Sequence, residues 1–243
     1  MGEKTSNPGI RRFLQGQKSI SYREFLSDRN QTSIVRNERN LKSAVLELGK
    51  VRIMSDCVKA CGIDLGTSEI AVAVVDSSNP LGTKLVSNKL SNETTPGVLK
   101  IYREVRSIGE DAAATATMCP QNVYSHLPLV LRCIDSLEDL QGRYPDLCFK
   151  MRSDEQKGVV FDVHDDSLIS EMSIMHALSM LFNYVFQIIE KSYPEYVNRA
   201  VVAVPSGLSS ACVRLVTDAA HLAGFKEVLV TNTDKAQTFK WLS

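Results

Sequence analysis

The sequence has no excess of charge of either sign, because 28 Lys and Arg residues balance 28 Asp and Glu residues over 243 positions. Nothing global therefore points to nucleic acid or to an acidic partner. The six cysteines lack paired C-x-x-C spacing, and Cys57 and Cys61 have no nearby histidines or cysteines to complete a zinc site. Reduced thiols fit a reducing compartment, so we expect the cytoplasm, with mitochondria or the nucleus as alternatives.

Long apolar runs are also lacking. No apolar stretch precedes a cleavage site near the N-terminus, so secretion is not expected. The most apolar helical pattern, residues 174–189, is shorter than a bilayer requires and contains His176, Asn183 and Gln187, so no membrane span is predicted. His176 has no second ligand at i+4, and we interpret it as a satisfied core or boundary histidine.

The first 58 residues differ in composition from the rest. Residues 1–59 hold 12 Lys and Arg against 6 Asp and Glu, with apolar residues too sparse for a core. Only residues 40–51 show weak helical spacing, at Leu41, Val45 and Leu48. We predict a basic, disordered and dispensable extension over 1–58 and a folded unit over 59–243. Six acids argue against a transit peptide, although the first six residues formally fit a myristoylation pattern.

The chain is organised around residues 61–76, which read as a buried strand, a tight turn and a second apolar strand. Gly66 allows a sharp turn, and the backbone N–H groups and hydroxyls of Thr67 and Ser68 could face phosphate oxygens. Asp64, at the end of the first strand, could meet the accompanying metal directly or through water. The alternative is an ordinary hairpin in which these side chains only satisfy the turn.

A second group of motifs follows in order downstream: residues 94–96, 108–113, 120–122, 198–207, 218–225 and 227–232. Together with residues 62–67, they resemble the nucleotide-binding domain of the heat-shock protein 70 family, which has the actin-like ATPase (ribonuclease H-like) fold. The resemblance covers about residues 59–243. It implies a nucleotide site for ATP or ADP with Mg²⁺, with Asp64, Gly66, Thr67 and Ser68 as the binding residues and Asp64 at the metal.

The pattern of elements predicts an α/β fold, with a mixed five-stranded sheet flanked by helices. An antiparallel meander comes first and a βαβ unit last, with strands at 200–204 and 228–231. Between these two strands we predict a helix capped by Ser209 or Ser210 and ended by Gly224. A longer helix is predicted over residues 167–193, closed by Pro194. Residues 94–96 interrupt the periodicity, and about 94–166 would form a capping subdomain.

Four departures from the resembling family concern the phosphates. Counted without gaps, the position of a phosphate-binding lysine falls on Pro128, and a glutamate after Asn232 is replaced by Thr233. Glu69 stands where a neutral side chain is usual, and Glu93 replaces an arginine. Each change removes positive charge, adds negative charge or deletes a carboxylate that positions water, so weak nucleotide binding and poor turnover are expected.

The resemblance ends inside a helix that is predicted to begin near Asp234, after the last strand. We therefore expect this sequence to contain only the first of the family's two lobes. An open cleft would then favour self-association and leave Trp241 exposed. The preferred interpretation is a divergent chaperone-family protein with a degenerate ATP-binding lobe, a pseudo-ATPase. One alternative is an ATP-dependent folding chaperone seen as a fragment of a longer chain. The other is a co-chaperone or scaffold that binds a chaperone partner.

Overall fold

The structure is a computed structural model, and it describes residues 59–75, 83–103, 105–164 and 170–234. The predictions for the basic extension over 1–58 and for Trp241 lie outside these residues. Of the helix predicted near Asp234, Thr233 and Asp234 are described and are helical, and the rest lies outside.

The main sheet has six strands: β1 (Cys61–Leu65), β2 (Glu69–Val75), β3 (Thr83–Leu85), β4 (Thr94–Pro96), β11 (Arg199–Val204) and β12 (Glu227–Asn232). Five lie in the order β12-β11-β1-β2-β3, and β4 pairs with β2 beside β3. The central strand β1 is parallel to β11 and antiparallel to β2, and β12 is parallel to β11. The predicted mixed sheet is therefore confirmed, with one strand more than expected.

The additional strand is β4, which corrects the prediction that residues 94–96 only interrupt the pattern. Thr94 pairs with Ala71 and Pro96 with Glu69, so β4 follows β3 along the outer edge of β2. Proline is tolerated there because an edge strand does not need every backbone N–H for its ladder. Three residues are too few to show strand periodicity in a sequence.

Along the chain, six shorter strands come between β4 and β11: β5 (Leu99–Tyr102), β6 (Val105–Ile108), β7 (Val123–Tyr124), β8 (Met151–Asp154), β9 (Gly158–Asp162) and β10 (Glu171–Ser173). They form two antiparallel sheets of three strands, one in the order β6-β5-β7 and the other in the order β10-β9-β8. The predicted hairpin around residues 157–163 is confirmed, since Asp154 pairs with Gly158 at its turn.

The described residues form five α-helices: α1 (Glu110–Ala114), α2 (Leu127–Arg132), α3 (Leu137–Arg143), α4 (Ile174–Ser192) and α5 (Ser210–Leu222). The long helix was predicted to start near residue 167, which is wrong. Residues 171–173 pair with β9 as a strand, and the Ser173 side chain accepts a hydrogen bond from the backbone N–H of His176, which starts α4 at Ile174. His176 itself is an exposed boundary residue, with its ring Nδ1 3.1 Å from Ser173 Oγ.

The βαβ unit agrees with its sequence signals. Ser209 caps α5 by accepting a hydrogen bond from the Cys212 N–H, and Gly224 follows the helix with a φ of +115°. One large core joins the apolar sides of α4 and α5 to alternate residues of the main sheet: Cys61, Ile63, Leu65, Ile70, Val72, Val74, Ala200, Val202 and Val204. Both long helices therefore cover the same face of the sheet.

Ser91 provides a test of the loop between β3 and β4. This exposed residue has a φ of +65°, a left-handed conformation that disfavours a side chain. Ser91→Gly is expected to raise the free energy of unfolding by roughly 0.5–1 kcal/mol, because glycine adopts this conformation without steric cost. Ser87→Gly, in the same loop but without a positive φ, should lower it slightly. Equal changes in urea midpoint for both variants would contradict the assignment.

Candidate functional site

The tip of the β1–β2 hairpin is a three-residue turn made by Gly66, Thr67 and Ser68. Leu65 pairs with Ile70 across its base, and all three turn residues are half-buried. A Cβ on Gly66 would lie 2.7 Å from the backbone oxygen of Glu69, a distance that real Cβ atoms do not reach. Glycine is therefore required for this turn, which presents backbone N–H groups and two hydroxyls at the end of the sheet.

Strand β4 supports the outer side of the tip. The N–H of Gly97, directly after β4, donates a 2.8 Å hydrogen bond to the backbone oxygen of Ser68. A Cβ on Gly97 would lie 3.5 Å from that oxygen, an ordinary contact. The tip is thus held by its own hairpin on one side and by Gly97 on the other.

Asp64 lies one residue before the end of β1, on the sheet face opposite the large core. It pairs with Ala71 on one side and with Ala203 on the other, while Ile63 and Leu65 point into the core. Only 6% of its surface is exposed. Both of its cross-strand neighbours are alanines, and a carboxylate at the end of this strand is the ligand type that the sequence predicts for a cation at the tip.

The carboxyl ends of β1, β11 and β12 meet at this edge because the three strands are parallel. Beyond them, Ser206 and Asp234 join the two neighbouring loops by a side-chain hydrogen bond. The Thr233 hydroxyl donates to the backbone oxygen of Val204 at 3.0 Å. A cavity of about 300 Å³ lies beside these loops, lined among others by Pro205, Leu208, Val213, Leu229 and Thr231.

The charged residues in the described segments at this edge are all acidic. The segments 64–69, 204–209 and 231–234 contain Asp64, Glu69 and Asp234 but neither lysine nor arginine, and Lys235, the next residue, lies outside the described residues. Pro128, which stands at the expected lysine position, is buried in α2. The turn and Asp64 lie at the same edge of the sheet, and these three segments supply no positive charge for a triphosphate.

The remaining candidates do not build a metal site in the described part of the chain. No group of three potential ligands among His, Cys, Asp and Glu is brought together there. The Cys61 thiol donates to the backbone oxygen of Arg199 at 3.4 Å, and burial raises its pKa to about 12. It is therefore a protonated core thiol, while Cys57 lies outside the described residues. None of the described helices has the length and hydropathy needed to cross a bilayer.

Sequence reasoning missed the roles of Gly97 and of the Ser206–Asp234 pair. The carboxylate of Asp234 accepts a hydrogen bond from the side chain of Ser206, 28 positions earlier. The available signal was topological, because both residues directly follow neighbouring parallel strands. Gly97 had no signal of its own, since its contact depends on the placement of β4.

The chain was compared with known proteins. It is 26% identical over 185 residues to Hypoxia up-regulated protein 1 of Danio rerio, and the alignment covers 75% of this chain and 18% of the relative. It is 26% identical over 175 residues to Heat shock 70 kDa protein 16 of Arabidopsis thaliana, and the alignment covers 72% of this chain and 22% of the relative. It is 28% identical over 178 residues to a ribosome-associated molecular chaperone of Nakaseomyces delphensis, and the alignment covers 73% of this chain and 28% of the relative.

The chain thus spans about a fifth to a quarter of the length of these relatives. The model of the family described as Hsp70 protein matches residues 60–239, which include all six strands of the main sheet and both long helices. Because this match covers most of the chain, the chain belongs to the Hsp70 family.

Proposed function

We propose that this Hsp70-family, chaperone-like protein is a pseudo-ATPase, whose first lobe keeps the fold but holds nucleotide weakly and does not turn it over. The family in general binds ATP or ADP with Mg²⁺. The observation that carries the proposal is the charge of this edge, where the described segments 64–69, 204–209 and 231–234 contribute three carboxylates and neither lysine nor arginine.

The first step concerns binding. Two unit charges 4 Å apart near a protein surface interact by about 4 kcal/mol, so an uncompensated carboxylate near a phosphate weakens binding substantially. Glu69 is exposed directly after the tip, and a proline buried in α2 stands at the expected lysine position. Asp64 is the residue that would contact Mg²⁺, but it adds no positive charge of its own.

The second step concerns turnover. Hydrolysis requires a group that positions the attacking water. The family resemblance puts a glutamate at the position of Thr233, whose hydroxyl donates to the Val204 carbonyl within the protein. A hydroxyl engaged in this way cannot replace a carboxylate as a water-positioning group.

Calorimetric titration and steady-state hydrolysis on the purified chain test the proposal. We expect a Kd for Mg-ATP weaker than about 1 mM, a binding free energy of about −4 kcal/mol or less in magnitude. We also expect turnover indistinguishable from buffer. Asp64→Asn is the matched control, since it removes the charge and keeps the size. Hydrolysis above background that disappears in this variant would contradict the proposal, because Asp64 affects the rate only through a bound metal and nucleotide.

A second candidate is an ATP-dependent folding chaperone of which this chain is one part. The small fraction of each relative that the chain spans favours it. In that case a longer reading frame that includes a second lobe should restore nucleotide binding in the same titration, and the departures at Pro128 and Thr233 would be tolerated.

A third candidate is a co-chaperone or scaffold that binds a chaperone or a second copy of itself through the edge of the main sheet where β1, β11 and β12 end. Hsp70-family proteins interact with chaperones and co-chaperones. The cavity beside Pro205 and Leu229 offers a surface of mixed polar and apolar character at this edge, and 41% of the surface of Leu229 is exposed. The cysteines of the sequence lack paired spacing, which favours a reducing compartment. We therefore propose that the protein is cytoplasmic, with mitochondria as the alternative.

A further inference from the structure

Asn88 is a buried amide in the loop between β3 and β4, with only 7% of its surface exposed. Its Oδ1 accepts hydrogen bonds from the backbone N–H groups of Leu90 at 2.9 Å and Asn92 at 3.0 Å. Its Nδ2 faces three acceptors: the Thr94 carbonyl at 2.9 Å, Thr95 Oγ1 at 3.3 Å and a carboxylate oxygen of Glu110. Every donor and acceptor of the amide is therefore used.

The donor side of Asn88 acts on β4. This strand has three residues, and within the described residues its only sheet partner is β2. So short a strand needs other contacts to stay in place. Two of its three residues, Thr94 and Thr95, are held by Asn88, and the next residue after the strand, Gly97, holds the hairpin tip through Ser68.

The same amide joins β4 to α1. Glu110 is the first residue of α1, and the preceding Gly109 has a φ of +70°. A Cβ on Gly109 would lie 2.8 Å from Thr95 Cγ2, so the helix start packs directly on β4. The Gly109 N–H also donates to the Val98 carbonyl at 2.9 Å. The contacts of Asn88 and Gly109 thus fix β4 and the start of α1 as one unit.

We propose that Asn88 is a positioning residue for the hairpin tip, acting through β4 and Gly97 on the backbone of Ser68. Its carbonyl oxygen shapes its own loop, and its NH₂ group places the strand that supports Gly66, Thr67 and Ser68. This role does not depend on nucleotide binding or on turnover, because it concerns only the position of the hairpin tip within the fold.

Asn88→Asp tests the proposal, since it keeps the size and the two accepted hydrogen bonds, removes the NH₂ donor and places a carboxylate beside Glu110. Amide hydrogen exchange should quicken by about tenfold in segments 94–98 and 66–69, the size expected for loss of one buried hydrogen-bonded contact. Exchange in β11 should change much less. Asn92→Asp is the matched control: the Asn92 side chain also donates to Glu110, at 3.1 Å, but it is exposed and that bond does not involve β4.

Acidification gives a readout that general destabilisation would not produce. In Asn88→Asp the new carboxylate faces Glu110, and two facing carboxylates raise the pKa of one of them. Protonation restores a donor, so the exchange ratio between variant and wild type at the same pH should fall toward one as the pH is lowered. Other charged groups in this region include Asp111 and Lys89, both beside Tyr184, and the exposed Glu93 in the same loop as Asn88.

Three results would overturn the proposal: equal effects of Asn88→Asp and Asn92→Asp, faster exchange spread evenly over the whole sheet, or a ratio that does not change with pH. If Asn88→Asp does not fold, Thr95→Val provides the same test in milder form. It removes only the acceptor at 3.3 Å, and it should quicken exchange at Gly97 and Ser68 before β11 is affected.

Discussion

Phe161→Ala is expected to lower the free energy of unfolding by about 3–5 kcal/mol, the range for a buried phenylalanine truncated in a packed core. Phe161 lies in β9 and is fully buried. Its ring centroid is 5.4 Å from those of Tyr124 and Phe149, which are themselves 5.5 Å apart. The three rings join β7, β9 and the segment before β8, so the cavity would open where the two small sheets meet.

Urea denaturation followed by circular dichroism measures this effect. Typical domains have a free energy of unfolding of about 5–15 kcal/mol, so the variant should lose roughly a fifth or more of its stability. Phe161→Leu should cost far less, since it retains most of the buried apolar volume. Met118→Ala, at a side chain that is 76% exposed, should have almost no effect. A loss below about 1 kcal/mol for Phe161→Ala would mean that the three rings are not packed together.

Gly66→Ala is expected to destabilise the protein by about 1–3 kcal/mol and to distort the hairpin tip. The added Cβ would lie 2.7 Å from the Glu69 oxygen, and this atom belongs to the backbone, so it cannot rotate away. The turn must open, which weakens the pairing of Leu65 with Ile70.

The same substitution at Gly142 is the control for Gly66→Ala. Gly142 lies in α3, and no atom is within 4 Å of the position of its added Cβ. Gly142→Ala should therefore stabilise by up to about 1 kcal/mol, because alanine favours the helix. Opposite shifts in the urea midpoints of the two variants are the expected result. A neutral Gly66→Ala would show that the tip is not the tight turn described here.

Several elements could be predicted because their signals are local. The apolar run of β11, the Ser209 cap and Gly224 define the βαβ unit within about 30 neighbouring residues, and the structure confirms each of them. The hairpin of β1 and β2 was equally clear, since Gly66 separates two apolar runs. The family followed from the order of such motifs, and the match over residues 60–239 agrees with it.

Other features could not be predicted, because they depend on partners distant in sequence. β4 and β10 have three residues each, too few for a pattern, and both are strands only because β2 and β9 accept them. The start of α4 was placed too early for the same reason: an apolar stripe does not distinguish a helical turn from a short strand that precedes it.

The amino-acid sequence by itself determined the class of fold, the βαβ unit and the glycine turn, since these depend on residue type and on spacing along the chain. Only the tertiary structure decided that Asp64 lies between Ala71 and Ala203, that Thr233 turns its hydroxyl to Val204 and that Asn88 holds β4. Strand register and loop packing bring together residues tens of positions apart, and the free energy of those contacts is absent from any local window.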